Sequence, residues 1–372
     1  MKQLTEMDKN MQELIRNEIR ISRNKFLKRK RKKPGKNLDK PVAYWIKEDR
    51  LLNGKGKELT IILKTRGCSW ALGEEGGCAM CGYIKDSACR TVKDSSIISQ
   101  FDHALAQSKA EIESDSKNYI VKIFNSGSFF DEEEVSPHVR KHICSKLSEI
   151  KKVKEVVVES RVEYLDKEIL KEFNNNLGPK YLEIGIGLET VDDFIRNVYI
   201  NKGLQFKDFQ SKVQILNKLD IGIRAYLLFK PPFLNEQAAI DDCIQSIQTL
   251  KKMKIDTISI NPVNIQSGSY VEYLWRRGFY RAPWFYSLFE AITSAVSQKD
   301  LESLRVISDP SGAGSKRGIH NCLKGNCNWT MKDLLHEFVL SQEIDDLELK
   351  ETECPCKIQY QFQKNYNYHL RD

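Results

Sequence analysis

Apolar runs of strand length alternate with longer amphipathic segments through the middle of the chain. Six runs are rich in β-branched and aliphatic residues, as buried strands are: ELTIILK (58–64), YIVKIFN (119–125), EVVVES (155–160), YLEIGIG (181–187), IRAYLLF (223–229) and DTISIN (256–261). Apolar positions with helical spacing mark five segments between them: 95–113, 136–151, 165–173, 206–219 and 236–252. This alternation predicts an α/β fold with a parallel sheet that is covered on both faces.

A partial barrel of six strand–helix units, a (βα)6 arrangement, is the fold that we expect from this order. A doubly wound open sheet is the alternative, but neither a dinucleotide nor a P-loop fingerprint follows the first strand. In a barrel the carboxyl ends of the strands carry the chemistry, and polar residues such as Asn125, Glu159 and Glu189 follow them here. We therefore expect the functional site at that end of the barrel.

The barrel is predicted to span residues 51–268, with a smaller part on each side. Residues 1–50 form a basic helical extension, in which helical spacing runs over 7–27. We interpret this helix as an appendage outside the core. Residues 269–372 form a C-terminal cap, which contains an aromatic stretch, a short strand (LRVIS) and a cysteine group. The aromatic residues are predicted to pack in the core, with stacking on RNA bases as the alternative.

Three cysteines follow the first strand within one Gly-rich loop, in the pattern Cys68-x9-Cys78-x2-Cys81. A structural zinc ion takes four protein ligands, whereas a [4Fe-4S] cluster held by three thiolates keeps one iron free. A free iron can chelate a small molecule, so a triad at the mouth of a barrel predicts a catalytic cluster. The alternative is a zinc knuckle completed by a distant ligand such as His103 or Cys89.

This loop resembles the cluster site of radical S-adenosylmethionine (SAM) enzymes, in the longer-spaced form of the catalytic subunit of Elongator-type tRNA-modifying proteins. The resemblance includes the order of the later motifs NSGSFFD (125–131), VESRVEYL (158–165) and EIGIGLET (183–190). It implies that seven residues contact SAM: Tyr83, Ser126, Gly127, Glu159, Arg161, Gly187 and Leu188. The residue before the last cysteine is often aromatic in this superfamily. Here it is Met80, and Tyr83 is expected to contact the adenine instead.

Nearly the whole chain is similar to the archaeosine-biosynthesis family of radical SAM proteins, on the stretch KTRGCSWALGEEGGCAMCGYIKDS (64–87), a C-terminal HNC and a paired CPC. That resemblance implies a tRNA substrate with a lysine-conjugated deazaguanine, which an archaeosine synthase partner subunit makes. It also implies an external electron donor and radical cleavage of a C–N bond to form archaeosine. The alternatives are an Elongator-like modification of tRNA uridine and a zinc-stapled RNA-binding protein without catalysis.

A second cysteine group, Cys322-x4-Cys327 with Cys354-Pro-Cys356, lies in the C-terminal cap. Four thiolates complete a structural zinc site, and helical spacing over 329–340 is typical of a small metal-stapled subdomain. Zinc is our first interpretation. A second iron–sulfur cluster and free thiols are the alternatives.

Positive charge is concentrated near the N-terminus. Nine Lys or Arg residues and no acid lie within 23–36, which exceeds the net charge of +8 for all 372 residues. A basic arm of this kind is typical of segments that contact phosphate backbones, and a solvated helix end is the alternative. Contacts to tRNA are expected from four residues: Arg29, Arg31, Lys316 and Arg317.

No run approaches the roughly 20 apolar residues of a membrane helix, and the N-terminus carries no apolar secretion signal. We therefore expect a cytoplasmic protein without membrane contact. In that compartment the ten cysteines predict metal-binding or catalytic thiols and not disulfides. The isolated Cys89, Cys144 and Cys243 are typical of small buried apolar residues.

Overall fold

The strands of the described chain form one sheet, in the order in which they occur along the sequence. The computed structural model describes residues 5–31, 37–324, 326–348 and 354–366. Its strands are β1 (Ala43–Leu51), β2 (Gly54–Ile62), β3 (Tyr119–Phe124), β4 (Val153–Glu159), β5 (Tyr181–Glu189), β6 (Gly222–Phe229), β7 (Thr257–Pro262) and β8 (Arg305–Ile307). β1 pairs antiparallel with β2, and every later pair of neighbours is parallel.

Helices lie between the parallel strands, before the first strand and after the last one. They are α1 (Glu6–Arg31), α2 (Ser69–Leu72), α3 (Asp94–Ser114), α4 (Pro137–Ser148), α5 (Lys167–Leu177), α6 (Phe206–Lys218), α7 (Glu236–Leu250), α8 (Tyr270–Arg276), α9 (Phe285–Ala295), α10 (Gln298–Leu301), α11 (Cys327–Ser341) and α12 (Cys356–Lys364). Side-chain caps fix several of the helix starts. The Ser136 hydroxyl accepts a hydrogen bond from the Val139 amide at α4, and the Asp166 carboxylate does the same for two amides of α5.

The predicted α/β partial barrel is confirmed. The six predicted strands are β2 to β7, and the five predicted helices are α3 to α7. Sequence reasoning missed β1, which lies in the segment 1–50, predicted as a helical extension, except for its last residue, Leu51. Its sequence AYWIKEDRL is rich in charge because β1 is an edge strand whose side chains are only partly buried.

The sheet curls, because side chains of distant strands meet inside it. Nη1 of Arg305 on β8 lies 2.9 Å from Oε2 of Glu155 on β4. In a flat sheet strands separated by four positions would be about 19 Å apart. The same guanidinium donates to the carbonyl of Arg50 on β1 at 3.0 Å, so the two edges of the sheet approach each other at this end.

Buried ion pairs fill the amino-terminal end of the curled sheet. Nζ of Lys122 lies 2.5 Å from Glu58 and 2.8 Å from Asp49, and Nη2 of Arg224 lies 2.6 Å from Glu183. All of these side chains are less than a tenth exposed. Charges and hydrogen bonds therefore occupy this end, which leaves the carboxyl end of the strands for a ligand.

Helix α1 packs on the barrel, so the prediction that it is an appendage outside the core is wrong. Ile15 and Ile19 are buried in one apolar cluster with Ala79, Val198 and Val271. The error has a physical cause. Arg20, Arg23 and Lys30 of α1 donate to backbone carbonyls of the loop after β2, so one face of this charged helix packs against the protein.

The apolar core of the barrel continues into the C-terminal segment. Phe338 of α11 and Tyr360 of α12 belong to the same buried cluster as the inward residues of β2 to β8. Among the described residues, no helix combines the length and the apolar composition needed to cross a lipid bilayer.

Candidate active site

The loop between β2 and α3 carries the first three cysteines at the carboxyl end of the sheet. The Cys68 amide donates a hydrogen bond to the Ser126 carbonyl after β3 at 3.0 Å, and the Ala79 amide donates to the Ile200 carbonyl after β5 at 2.8 Å. The Cys81 amide donates to the Cys78 carbonyl at 3.2 Å, which forms a turn between the last two cysteines. Contacts to two other strand ends thus hold the three thiols in one region.

Cationic side chains lie beside these thiols. Burial raises the pKa of Cys68, while Arg161 opposes the rise and the neighbouring Cys81 adds to it. Burial also raises the pKa of Cys78 to about 12, while Lys202 opposes the rise and Cys81 adds to it. Cys81 thus raises the pKa of both other thiols, as is expected when three thiols belong to one site. Nearby cations favour thiolates, and the thiolate is the form that binds a metal.

The three thiols are not gathered as ligands of a single ion. Within the described residues, one other set of side chains is close enough to share one metal ion, and it belongs to the second cysteine group. His103, a candidate fourth ligand, instead packs edge-on against the Tyr44 ring, with 5.9 Å between the ring centroids. A wider triad of thiolates beside cations suits an iron–sulfur cluster better than one zinc ion.

Glu134 joins the strand ends that surround the cysteine loop. Its buried carboxylate accepts hydrogen bonds from Oγ1 of Thr65 at 2.6 Å, Nδ2 of Asn125 at 2.9 Å and the amide of Ser128 at 2.9 Å. Gly127 lies directly against this carboxylate, and a Cβ atom there would fall well inside contact distance. Burial raises the pKa of Glu134, and the three donors counteract the rise.

The structure brings most of the predicted SAM-binding residues to this rim. Oγ of Ser126 donates to the Tyr83 carbonyl at 3.0 Å, so the loop after β3 contacts the cysteine loop. The Phe129 amide donates to the carbonyl of Glu159 at 2.8 Å, and the Arg161 amide donates to Oγ of Ser128 at 3.1 Å. The ends of β2, β3 and β4 therefore form one continuous polar surface.

Gly187 and Leu188 lie at the end of β5, but only their backbone is available to a ligand. The Leu188 side chain is buried in the core. A Cβ atom at Gly187 would collide with Nζ of Lys202. This lysine lies 2.7 Å from Oε1 of Glu189, whose φ of +71° is in the left-handed region that non-glycine residues rarely adopt. Strained backbone of this kind is common at functional sites.

Sequence reasoning missed Lys202 as part of the site. Burial lowers its pKa, but Glu189 and Cys78 act in the opposite direction and leave the pKa above its ordinary value. Lys202 therefore keeps its charge beside the thiols. Its carbonyl also accepts a hydrogen bond from Nη1 of Arg161 at 3.1 Å, and the Arg161 guanidinium lies 5.0 Å from the centre of the Trp70 ring.

No local signal in the sequence marks these missed residues. Glu134 follows three other acids in the run DEEE, which is typical of a solvated surface. Lys202 and Asn201 belong to a loop without a motif, yet Nδ2 of Asn201 donates to the carbonyls of Glu75 and Gly77 at 3.0 and 2.9 Å. Their roles depend on contacts between distant segments, since Glu134 and its donor Thr65 are 69 residues apart in the chain.

The second cysteine group forms a compact four-thiol site in the C-terminal cap. Sγ of Cys322 lies 3.4 Å from Sγ of Cys327 and 3.7 Å from Sγ of Cys354, and Sγ of Cys327 lies 3.9 Å from Sγ of Cys356. All four sulfurs lie within 4.8 Å of one another. In a tetrahedron with metal–sulfur bonds of about 2.3 Å the sulfurs are about 3.8 Å apart. This site therefore has the dimensions of a single tetrahedral ion.

The residues predicted to contact tRNA have mixed surroundings. Arg29, on the last turns of α1, and Lys316 are exposed. Arg317 instead donates to the Ile265 carbonyl at 2.8 Å and pairs with Glu272 at 2.8 Å. The side chain of Arg31 and residues 32–36, which complete the basic run, lie outside the described residues. Most aromatic residues after Tyr270 are buried, as the core interpretation predicts, and Phe279 is exposed.

Two curated relatives cover most of this chain. The chain is 40% identical over 317 residues to archaeosine synthase subunit beta of Methanosarcina acetivorans, which covers 85% of this chain and 88% of the relative. It is 36% identical over 322 residues to archaeosine synthase subunit beta of Thermococcus kodakarensis, which covers 86% of this chain and 96% of the relative. No family model matches the chain.

Among solved structures, the archaeal Methanocaldococcus infernus Elp3 with an N-terminal deletion is 14% identical, with a TM-score of 0.48. The match covers 65% of this chain and 59% of that chain, so this chain spans less than two thirds of its length. The two curated relatives confirm the family resemblance that the cysteine motifs indicate. At these identities and coverages, the chain belongs to the family of the archaeosine synthase beta subunits.

Proposed function

We propose that this chain is a radical SAM enzyme that cleaves a C–N bond in the lysine-conjugated deazaguanine of tRNA and leaves archaeosine. The observation that carries the proposal is the placement of Cys68, Cys78 and Cys81 at the carboxyl end of a partial barrel, beside two cations. The names of the two curated relatives support the product, archaeosine. Their designation as a beta subunit supports a partner subunit.

The residues at this site suit a [4Fe-4S] cluster with SAM. Cys68, Cys78 and Cys81 would hold three of the four irons, which would leave one iron for SAM. With SAM bound, a cluster held there would supply one-electron reduction of the sulfonium, with the electron taken from an external donor, and so radical chemistry at the substrate. No general base is required, so the histidines need no role in the reaction.

The chain's own residues bind and orient SAM in this proposal. Arg161 offers a guanidinium for the SAM carboxylate, and Glu159 offers a half-buried carboxylate for the ribose. Burial raises the pKa of Glu159, while Lys202 and Arg224 oppose that rise. The backbone of Gly187 and Leu188 lies along the rim for the adenine, and Tyr83 is its aromatic contact. Loop 125–131 positions the amino group.

Closure of the opposite end of the barrel restricts access to the site. The buried pairs of Lys122, Arg224 and Arg305 fill the amino-terminal end, so a tRNA nucleoside must enter from the rim that carries the cysteines. A flipped base can reach such a pocket when the surrounding protein binds the RNA backbone. Exposed Arg29 and Lys316 are the described residues proposed for that role.

The four-thiol site is proposed to hold one structural zinc ion. Its sulfur spacing corresponds to one tetrahedral ion, whereas the thiolates of a second cluster would be bonded to four separate irons and lie farther apart. Zinc would join the loop at Cys322 to helices α11 and α12. This supports a role in stabilising the cap and not in catalysis.

Anaerobic reconstitution tests the enzyme directly. The protein is loaded with iron and sulfide, reduced in the presence of SAM, and mixed with tRNA that carries the lysine-conjugated precursor. We expect a brown protein, methionine and 5′-deoxyadenosine as SAM products, and archaeosine by nucleoside mass spectrometry. Cys78→Ala should lose iron at this site and remain folded, whereas Cys243→Ala, which removes an isolated buried thiol, should keep both iron and activity.

Two results would contradict the proposal at different levels. A colourless protein with two zinc ions, inert toward SAM, would favour a non-catalytic RNA-binding protein. SAM cleavage without archaeosine on the correct precursor would reject the product while leaving the radical chemistry in place. Modification of a tRNA uridine in the same mixture would instead favour Elongator-like activity.

A further inference from the structure

Helix α1 holds the backbone of the cysteine loop with its basic side chains. Arg20 donates to the Glu74 carbonyl, and Nζ of Lys30 donates to the carbonyls of Ile84 and Lys85 at 2.7 and 2.6 Å. Irregular loops leave backbone carbonyls without partners in a helix or sheet, and buried ones need donors. The helix supplies these donors along one face. Part of the basic run is thus engaged by protein and not by RNA.

Arg23 makes the most central of these contacts. Nε donates to the Gly76 carbonyl at 2.9 Å, and Nη2 donates to the Cys81 carbonyl at 2.6 Å. A single guanidinium therefore joins the residues on both sides of Cys78. Arg23 is only 3% exposed. It lies on the same face of α1 as Ile19 and Leu27, which are four residues away on either side and are also buried. The planar fork of arginine suits two acceptors at a fixed spacing.

The charge of Arg23 has no protein counter-charge in the described part of the chain. Three other deeply buried cations of the barrel, Lys122, Arg224 and Arg305, each pair with a carboxylate within 3.0 Å. No described carboxylate lies within ion-pair distance of Arg23, and its buried Nη1 has no hydrogen-bond partner. A buried charge without a partner is costly. An anion adjacent to the loop would remove that cost.

We propose that Arg23 is a positioning residue for the iron–sulfur cluster of Cys68, Cys78 and Cys81, and that its charge compensates the negative charge of the thiolate-bound cluster. This inference rests on the proposed function. Cysteine binds metal as thiolate, so loading the site adds negative charge beside the Cys81 carbonyl. Net charge and hydrogen bonding around a cluster set its reduction potential. Arg23 therefore favours the reduced cluster and keeps the loop in its binding shape.

Three variants of the full chain separate these effects. Arg23→Gln removes the charge and the fork, Arg23→Lys keeps the charge but not the fork, and Lys25→Gln removes a charge from an exposed position of the same helix. The readouts are iron retained per chain against a chelator and the potential of the cluster from a redox titration followed by electron paramagnetic resonance. Both are measured without turnover of tRNA.

We expect Arg23→Gln to retain iron about tenfold less well, as substitutions outside the ligand shell typically do. Its ratio of reduced to oxidised cluster at a fixed potential should fall about tenfold, which corresponds to about 59 mV for a one-electron couple. Arg23→Lys should lose iron more readily but keep a potential near that of the wild type. Lys25→Gln should match the wild type in both measurements.

Equality of Arg23→Gln and Lys25→Gln in iron retention and potential would overturn the inference. If Arg23→Gln does not fold, Arg23→Lys decides the question, because wild-type iron retention in that variant would also overturn it. A wild-type protein that binds no iron rejects the proposed function and this inference together. A wild-type protein that cleaves SAM, with an Arg23→Gln variant that behaves like Lys25→Gln, rejects the inference alone.

Discussion

Gly127 lies so close to the carboxylate of Glu134 that no side chain can occupy residue 127 without moving that carboxylate. Glu134 in turn holds Thr65, Asn125 and Ser128 at the ends of β2 and β3. We expect Gly127→Ala to lower the free energy of unfolding by about 2 to 3 kcal/mol, through overpacking and broken hydrogen bonds. The same variant should also bind SAM more weakly, because the new side chain displaces the strand ends that form the binding rim.

Urea unfolding and calorimetric titration with SAM measure the two effects. Gly178→Ala is the control, since a Cβ atom there meets nothing within 4 Å and only its φ of +68° opposes the change. That variant should lose about 1 kcal/mol and bind SAM normally. Equal SAM affinity in the two variants would show that Gly127 does not shape the binding rim.

Arg305 holds the closed end of the barrel. Its guanidinium pairs with Glu155 at 2.9 Å and with Glu183 at 3.0 Å, and all three side chains are buried. Arg305→Met should lower the free energy of unfolding by about 3 to 5 kcal/mol, because it leaves buried Glu155 without a cation and Glu183 with Arg224 alone. Urea unfolding checks this. Lys109→Met removes an exposed pair with Glu113 and should cost less than about 1 kcal/mol.

Asp242 should make folding depend on pH. Burial raises its pKa to about 7, although the Thr190 hydroxyl donates to it at 2.5 Å. The folded state therefore binds this proton more tightly than the unfolded chain does. The resulting stability is fully present below the ordinary value of 3.8 and is lost as pH rises to about 7. A shift of this size corresponds to at most about 4 kcal/mol.

Asp242→Asn should remove this dependence and increase stability at pH 8 relative to the wild type. Urea unfolding at pH 5 and pH 8 measures the difference for each variant. Asp241→Asn changes the exposed neighbour in the same helix and should leave the difference unchanged. An Asp242→Asn variant that keeps the wild-type difference would show that another group titrates.

The four-thiol site should retain one metal ion when the first cysteine group is removed. In a background of Cys68→Ala, Cys78→Ala and Cys81→Ala, mass spectrometry of metals should find one zinc ion per chain. Adding Cys354→Ser should release that ion and destabilise the cap, because the bound metal contributes to its folding. Cys243→Ser, added instead, should leave the zinc in place. Iron in place of zinc would contradict this assignment.

Arg161 should determine the affinity for SAM. Its guanidinium opposes the burial-driven rise in the pKa of Cys68 and Cys78 and packs on the Trp70 ring. The SAM carboxylate is proposed to bind at this place. Arg161→Met should weaken SAM binding more than tenfold, since charge-assisted hydrogen bonds contribute about 1.5 to 3 kcal/mol. Equilibrium binding of SAM to the reconstituted protein measures this. Glu163→Gln removes the exposed partner of Arg161 and should change affinity little.

Periodicity was sufficient for most of the fold because buried parallel strands and their helices are repetitive in sequence. The runs at 119–125 and 181–187 have the apolar composition that burial on both faces demands, and they became β3 and β5. β1 was missed for the opposite reason, since its partly exposed face allows charged residues. Helix α1 was found but misplaced, because charge alone does not reveal whether a lysine meets solvent or a carbonyl.

In the candidate site too, some residues could be predicted from the sequence and others could not. Spacing of Cys68, Cys78 and Cys81 predicted a cluster loop, because local geometry limits which thiols of one loop can share a cluster. Glu134, Lys202 and Arg23 could not be predicted, since each acts on residues that only folding brings near. The structure identifies each of them by a contact: the Glu134 carboxylate lies between two strand ends, and the Lys202 amine lies against Gly187. The buried Arg23 guanidinium has no counter-charge among the described residues.

The sequence by itself determined the alternation of strands and helices, the two cysteine groups and the family of the chain. These are properties of short segments, in which burial and ligand spacing constrain neighbouring residues directly. Only the tertiary structure decided that the sheet curls, that four distant thiols meet within 4.8 Å, and that a basic helix covers the cysteine loop. Those contacts join residues far apart in the chain, and their energies depend on burial that no local pattern records.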